Sequence, residues 1–553
     1  MLETTLATEF VPGTNLKGNV AGANWTFLLP SLELDLIVCV GVPPAAALTT
    51  LARLGRDVAV VCKSAQYRAL SELCRRSDLL NVRPIAAGAQ AVLPLAERSV
   101  DLIVLGAGAG HQALPAELVR LLKPDGVVYY VAGAGSHGPI DGLGAPQHFW
   151  VTPLRGEMQT AVPANDPQTI NYFIRHALYS PSVKLRPFKR AERAINRRLA
   201  RLGRRQSALV GRPETGLDER PPRYLRAIAQ DAGVDIGAYR WGLAAHGEYT
   251  SRKVLFFLFA GAGSAPAYIV KMTREPALNR RLENEQRALT LLHEHGLGDS
   301  EVLPRAAFFG HHGGLAVVGE TIVAGAPFRQ RTDGTAECRY LHAAVDWLTE
   351  LAAATADRGA ASPLQVAEGL ETLLGRFSEI YQLAPAHHAF LADLLGRIAG
   401  SRVAFPLVFQ HGDPGTWNML ATPAGRAAFL DWEAFERHGM PLWDLFYFMR
   451  SYGVWSSRMA GVRDSLKGFE RQFMADSALG AYLVSAAGRY CARGGLAPEL
   501  VESLFYTCWM HRALKEATRL PAEQLERGHY VGLLRLCIDG RDAPTLRKLF
   551  SKG

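Results

Sequence analysis

Between Leu34 and Val131 short apolar runs alternate with segments of helical period. The runs are Leu34–Val40 (LDLIVCV), Val58–Val61 (VAVV), Val82–Ala86 (VRPIA), Asp101–Leu105 (DLIVL) and Val127–Val131 (VVYYV). Helices are expected over Ala45–Leu54, over Ala65–Arg75 and near Pro115–Leu122. Strands that alternate with helices across short connections form a parallel, doubly wound sheet.

From Tyr239 onwards the pattern changes. Trp241–Phe259 and Ala267–Met272 run apolar or alternate as strands. Val254–Val270 carries no charge, but Gly261, Gly263, Ser264 and Pro266 interrupt it, so it predicts two buried strands joined by a turn. A membrane span needs about 20 unbroken apolar residues. The stretch NRRLENEQRALTLLHEHG predicts a helix with Leu282, Leu289 and Leu292 inward and Gly296 as its stop. Residues 337–400 have helical period, with Tyr340, Ala344, Trp347, Leu348 and Leu351 on one stripe. Two more apolar runs, Phe405–Phe409 and Ala427–Leu430, flank the turn signal Thr422-Pro423-Ala424-Gly425, and the chain is largely helical from there to Leu549.

Length and composition limit the possibilities. A chain of 553 residues is too long for one core and suggests about three or four compact units. With 48% hydrophobic and 20% charged residues it has ample material for buried cores and is not a disordered chain. Seven cysteines without C-x-x-C spacing argue against a zinc module or a disulfide framework. The start MLETTLATEF has no basic flank before an apolar core and does not read as a secretory signal. A cytoplasmic setting is expected.

Much of the net charge of +9 is local. The segment RPFKRAERAINRRLARLGRR, within a linker over 166–222, places Phe188, Ile195, Leu199 and Leu202 near one helical face and arginines and lysines over the rest. Such a helix, over 187–205, either lies on the anionic inner face of a membrane or packs its stripe on its own domain. Aromatic residues that would stack on single-stranded bases are not interleaved with the charges, so nucleic acid is not an expected partner.

The chemistry concentrates in FPLVFQHGDPGTWNMLATPAGRAAFLDWE, residues 405–433. The hairpin turn folds Asp431 back beside Asn418, where an amide oxygen and a carboxylate can share one hard cation. Phosphoryl transfer needs a nucleophile in line, a carboxylate to take its proton, and magnesium on the phosphates. Asp413, Asn418 and Asp431 supply those parts.

The order H-x-D-x-x-x-x-N followed by a strand-borne Asp resembles a kinase catalytic loop and metal site. Its wording, HGD and DWE, resembles the aminoglycoside phosphotransferase and choline kinase family. The resemblance implies a catalytic base at Asp413, magnesium ligands at Asn418 and Asp431, a packing role for His411 and a bracing role for Asp444. It further implies that Lys271, ending YIVK, pairs with the phosphates of ATP and is held by Glu285 of the next helix, with Glu283 the runner-up. The phosphate-covering loop falls in LAAHGEYTSRK, where Gly242 and Gly247 are the glycines nearby and Thr250 and Ser251 are candidates. Backbone near Glu320 to Val323 is expected to read adenine. Glu433 either supports the metal site or is a surface carboxylate.

The stretch VDLIVLGAGAGHQALPAELVRLLKPDGVVYYV resembles the second half of a class I S-adenosylmethionine-dependent methyltransferase, over about residues 30–165. Gly41, Gly106 and Gly108 are the candidates for an S-adenosylmethionine-like site. The pattern departs from that family at two places. The first turn, Gly41-Val42-Pro43-Pro44-Ala45, puts prolines where amide donors are needed. The second strand ends Cys62-Lys63-Ser64, and a lysine cannot accept from a ribose hydroxyl. Gly133, Gly135 and Gly138 match G-x-G-x-x-G, but Pro139, Gly142, Gly144 and Pro146 follow where that fingerprint needs a helix.

The expected architecture is an α/β Rossmann-like, methyltransferase-like domain over 1–165, the basic linker over 166–222, a kinase-like N-lobe over 223–330 and a C-lobe with helical additions over 331–553, together α+β. The expected function is ATP- and magnesium-dependent phosphorylation of a hydroxyl on a small molecule or glycan, with a non-catalytic N-terminal domain. A methyltransferase with a regulatory kinase-like half and a non-catalytic nucleotide-binding scaffold are the alternatives.

Overall fold

The computed structural model describes residues 23–86, 92–106, 115–132, 140–154, 157–177, 206–215, 217–245, 253–299 and 301–551. Gly108, Thr250, Ser251 and the basic segment 187–205 lie outside the described residues. The chain divides into two compact units, one built from Leu16–Leu282 with Ala306–Ile322, the other mainly from Glu283–Arg305 with Val323–Gly553.

Among the described residues the first unit holds thirteen strands: β1 (Leu34–Val40), β2 (Gly55–Cys62), β3 (Val82–Ala86), β4 (Val100–Leu105), β5 (Leu122–Ala132), β6 (Gln147–Leu154), β7 (Glu157–Pro163), β8 (Gln206–Gly211), β9 (Arg240–Ala244), β10 (Val254–Phe259), β11 (Tyr268–Met272), β12 (Ala306–His312) and β13 (Leu315–Thr321). They form one sheet in the order β12-β13-β11-β10-β9-β7-β6-β8-β5-β4-β1-β2-β3. The last five are parallel, with β1 between β2 and β4. The apolar runs read from the sequence are these strands, and the helices fall close to where they are expected: α1 (Ala45–Leu54), α2 (Ser64–Arg76) and α3 (Pro115–Leu121).

Alternate residues of each parallel strand face opposite sides of a sheet. Ile37 and Cys39 enter one apolar core with Val58, Val60 and Leu102, whereas Val38 and Val40 enter another with Ala59 and Ile103. Both faces are covered, which is why these strands read as unbroken apolar runs.

The expected boundary after residue 165 does not interrupt the sheet. β7 pairs antiparallel with β9 through Thr160–Ala244 and Ala161–Leu243, and Ala245 N–H donates to the Gln159 carbonyl at 2.8 Å. The core that holds Ile37 also contains Phe149, Ala161, Trp241, Phe256, Val270 and Val317. Gly242 belongs to this junction. A Cβ there would lie 2.5 Å from the Phe173 ring, so the glycine makes room for a buried aromatic. The turn between β10 and β11 contains Gly261 at φ +49°, and the charge-free run is a hairpin as expected. Helices α4 (Pro167–Tyr172) and α5 (Arg223–Asp231) also belong to this unit.

α6 (Asn279–Glu294) follows β11, with Leu282, Leu289 and Leu292 buried and Gly296 at φ +65° just past its end. Among its described residues the second unit is mainly helical, with five short strands: β14 (Ala326–Pro327), β15 (Val408–Gln410), β16 (Met419–Ala421), β17 (Ala427–Phe429) and β18 (Glu436–Gly439). Its helices are α7 (Phe328–Arg331), α8 (Arg339–Thr355), α9 (Pro363–Ile380), α10 (Pro385–Ala399), α11 (Trp443–Met459), α12 (Ser465–Phe473), α13 (Ala478–Gly494), α14 (Val501–Ala517), α15 (His529–Asp539) and α16 (Pro544–Phe550). α11 and α14 are buried around most of their circumference, as central helices of such a unit are. Among the described residues no helix is long and apolar enough to cross a membrane. All seven cysteines are buried and unpaired.

Candidate active site

The loop between β15 and β16 begins with a backbone that few residues tolerate. Gly412 has φ +76°, and a Cβ there would stand 2.1 Å from the Ala434 carbonyl oxygen. Asp444, in the first turn of α11, fixes this turn. Its carboxylate accepts from His411 N–H at 2.5 Å and from Gly412 N–H at 3.1 Å. Burial pushes the Asp444 pKa up, and His411 and the two backbone donors recover only part of that rise. His411 is itself fully buried, donates from Nε2 to the Leu430 carbonyl at 3.0 Å and accepts at Nδ1 from Asp413 N–H at 3.2 Å. One imidazole therefore ties the loop to the end of β17.

Asp413 is partly buried among donors. Arg512 of α14 reaches its Oδ1 at 3.0 Å and the Gly412 carbonyl at 2.6 Å, while Asn418 Nδ2 donates to Oδ2 at 3.2 Å and to the Asp413 carbonyl at 3.0 Å. Burial raises the Asp413 pKa, but Arg512, the Tyr447 hydroxyl and His411 together more than offset it, leaving the carboxyl below its ordinary value. The carboxylate form is the one these donors favour. The Arg512 guanidinium lies 3.5 Å from the Tyr447 ring centroid and 5.8 Å from that of Tyr530.

The hairpin read from Thr422-Pro423-Ala424-Gly425 is present: Thr422 N–H donates to Arg426, Gly425 N–H donates to Thr422, and β16 pairs with β17. Past the ladder, Leu430 N–H donates to the Asn418 carbonyl at 2.8 Å, which brings Asp431 next to Asn418. Asp431 has φ +68° and ψ +63°, the left-handed region that Asp tolerates better than most residues. A one-turn 3-10 helix, Trp432–Ala434, follows.

Whether this pair suits a divalent cation is a question of donor chemistry. Asn418 spends its amide hydrogens on Asp413, so its amide oxygen is the end left for a cation. With the adjacent Asp431 carboxylate it makes a two-oxygen, hard-ligand set. Magnesium takes such sets when substrate phosphates and water complete its shell. The residues fit the ion.

Glu285, fully buried on α6, accepts from Trp432 N–H at 3.0 Å, and Asn284 Nδ2 donates to the carbonyls of Glu433 and Phe435. Glu283, the runner-up, is only half-buried. In the other unit, Lys271 on β11 forms an ion pair with Glu320 Oε1 at 2.9 Å across the β11–β13 ladder, and both side chains are largely buried. Glu320 thus presents its side chain to Lys271, an interaction that the expectation of a backbone-reading hinge did not include. The remaining nucleotide candidates, Thr250 and Ser251, lie outside the described residues.

In the parallel sheet, Gly41 (φ +91°) and Gly106 abut at the ends of β1 and β4. Gly106 N–H donates to the Val40 carbonyl at 2.9 Å, and its missing Cβ would lie 3.0 Å from that oxygen. This is the point where strand order reverses, where open sheets leave a crevice. The structure brings these two glycines together; Gly108 is outside the described residues.

Residues 250–475 match the phosphotransferase enzyme family. The matched segment contains Lys271, Glu285, Glu320, Asp413, Asn418, Asp431 and Asp444. It stops short of Arg512. No curated protein matches the chain. Among solved structures, the co-crystal structure of WbdD with the kinase inhibitor LY294002 covers 96% of this chain and 88% of its own at 12% identity, with a TM-score of 0.22. The choline kinase LicA from Streptococcus pneumoniae covers 54% and 93% at 18% identity, TM-score 0.32. A SAM-dependent methyltransferase from Aquifex aeolicus covers 23% and 77% at 18% identity, TM-score 0.18.

Arg512 is the site residue that sequence reasoning missed. The signal was there: in LFYTCWMHRALKEA a His-Arg pair interrupts a helix that is otherwise apolar on nearly all sides. A cation in such a helix needs a buried partner, but only the fold could say that the partner is Asp413.

Proposed function

We propose that the chain is an ATP- and magnesium-dependent phosphotransferase that phosphorylates a hydroxyl group of a small molecule or glycan. The observation that carries this reading is the contact chain Arg512–Asp413–Asn418, with Asp431 set beside Asn418 by the Leu430 hydrogen bond. Asp413, kept ionised, orients the acceptor hydroxyl and accepts its proton as the oxygen attacks the terminal phosphorus. Arg512 holds the carboxylate in place. Asn418 and Asp431 would hold magnesium, which supplies charge neutralisation at the phosphate oxygens when bound. Lys271, braced by Glu320, would bind the nucleotide phosphates, and Glu285 steadies the turn after Asp431 through Trp432 N–H.

The parallel sheet has a scaffolding role in this reading. Pro43 and Pro44 remove amide donors beside Gly41, and Lys63 directly follows β2 where a ribose-binding acid would be needed. Dependence on ATP, together with seven buried thiols that remain unpaired, fits a reducing cytoplasm.

The test is ATP turnover with pooled sugar, amino-alcohol and glycan acceptors, for the native chain and Asp413→Asn, with magnesium titrated in both. Acceptor-dependent turnover in the native chain, reduced at least about a hundredfold in the variant, is the expected result. Equal turnover in both chains would remove Asp413 from the reaction. In Asp431→Asn the magnesium concentration for half-maximal rate should rise.

A further inference from the structure

One face of α11 runs from the proposed base into a cluster of cations. Tyr447, Ser451, Trp455 and Arg458 recur at i, i+4, i+8 and i+11, the spacing of a single helical face. The Tyr447 hydroxyl acts on Asp413 and lowers its pKa. One turn on, Ser451 Oγ accepts from Thr416 N–H at 3.1 Å. At the next turn Trp455 stacks under Arg329, whose guanidinium carbon is 5.1 Å from that ring centroid and 5.3 Å from that of Trp417. Arg329 Nε also donates to Thr416 Oγ1 at 2.8 Å, so the cation is anchored on the Asp413–Asn418 loop itself.

Arg329 is partly buried; two more cations, Arg458 and Arg450, act against its charge, and Tyr447 acts the other way. Arg450 is 9% exposed and leaves its Nε buried with no hydrogen-bond partner. Its terminal nitrogen donates to His529 Nε2, while His529 Nδ1 faces Ser465 Oγ at 3.1 Å. That pattern needs a neutral imidazole, which compensates no charge. Among the described residues, no carboxylate lies within ion-pairing distance of Arg329, Arg450 or Arg458. Holding Arg450 buried and Arg329 partly buried beside a third, exposed cation, Arg458, without an ion-paired carboxylate is unfavourable. It is a stable arrangement where a bound anion supplies that charge, and guanidinium forks suit carboxylate and phosphate oxygens.

We propose that Arg329, Arg450 and Arg458 form a receptor for an anionic group, a carboxylate or phosphate ester, carried by the hydroxyl-bearing acceptor. The inference rests on the phosphotransfer reading for the reaction, but not for the anion site. Two helical turns separate Tyr447 from Trp455, about 11–12 Å of rise, so the acceptor is longer than one sugar ring, with its reactive hydroxyl at Asp413 and its anion at the arginines. A cationic amine is disfavoured there by like-charge repulsion.

Two measurements test it. Thermal unfolding is followed with inorganic phosphate and, separately, with lactobionate, for the native chain, Arg329→Gln, Arg458→Gln and Lys271→Ala; Arg458 is exposed, so its variant folds. The native midpoint should rise with either anion. The rise should be at least halved in both arginine variants and retained in Lys271→Ala. No native rise, an undiminished rise in both arginine variants, or a phosphate rise lost only in Lys271→Ala overturns the site. A response to phosphate alone assigns the group as a phosphate ester, and a response to lactobionate alone as a carboxylate. The second measurement compares kcat/KM for trehalose 6-phosphate and lactobionate with trehalose, lactose and kanamycin. A preference of about tenfold or more for an anionic acceptor is expected from one charge-assisted fork, and equal or better use of the neutral or cationic ones overturns the acceptor class. If no acceptor is phosphorylated while the anion shifts behave as stated, the phosphotransfer reading fails and the anion site stands.

Discussion

Arg512 Nη2 lies 3.0 Å from Asp413 Oδ1, although 99 positions separate them in the chain. The pair sets the ionisation of the proposed base. Without the guanidinium, burial would be opposed only by Tyr447, His411 and the amide of Asn418, and the carboxyl pKa would rise. A base works as the carboxylate, so Arg512→Met should move the acid limb of the kcat/KM profile to higher pH, with a larger fractional loss at pH 5 than at pH 7.5. Arg512→Lys should restore part of the shift. A pH profile unchanged in Arg512→Met would show that the arginine only fills space.

The Lys271–Glu320 pair spans neighbouring strands and is largely buried. Lys271→Ala should raise the apparent KM for ATP by about tenfold or more, as loss of one phosphate contact would. Glu320→Gln keeps the shape and removes the charge. It should cost on the order of 1–3 kcal/mol in chemical denaturation, with a smaller rise in KM, because the lysine remains but is less firmly placed.

Asp444 accepts from two adjacent backbone N–H groups with two oxygens. Asparagine at this position presents one oxygen and one donor, so one buried N–H meets a donor. Asp444→Asn should lose about 1–3 kcal/mol of stability. It should also reduce kcat more than it changes the KM for the acceptor, since the turn at His411-Gly412 positions Asp413 without touching substrate. Urea denaturation and steady-state kinetics on the same preparation check both.

His529 is pushed down to about 3 by burial and by Arg450 and Arg458. The unfolded chain protonates this ring below about pH 6.5, whereas the folded chain resists until about pH 3. The unfolded state therefore binds more protons in that window. Stability is full above pH 6.5 and falls as pH drops towards 3, and His511, depressed by burial, acts in the same direction. His529→Gln should flatten part of the loss between pH 7.5 and pH 5 in urea midpoints. An identical slope in native and variant would place the titration elsewhere.

Much of this was legible in the sequence because it depends on local periodicity. The parallel strands are apolar runs since both faces are covered, and their ends fall within a few residues of the patterns. The hairpin that sets Asp431 beside Asn418 is four residues of turn chemistry between two short strands, and Gly296 ends α6 where a glycine stop is expected. Short-range geometry of this kind is set by residues that are neighbours in the chain.

What the chain could not reveal by itself lies in contacts between distant residues. The pairing of β7 with β9, which joins strands on either side of residue 165 in one sheet, rests on backbone hydrogen bonds that leave no compositional mark; a trace is Gly242, small so that Phe173 can pack. Arg512 meets Asp413, and Arg329 meets Thr416 and Trp455, because α14, α7 and α11 happen to meet around the loop at those turns. The sequence determined which side chains could accept a proton or hold a cation. Tertiary packing alone decided which charge faces which, because electrostatic partners are chosen by distance in space and helical period carries no information about the neighbouring helix.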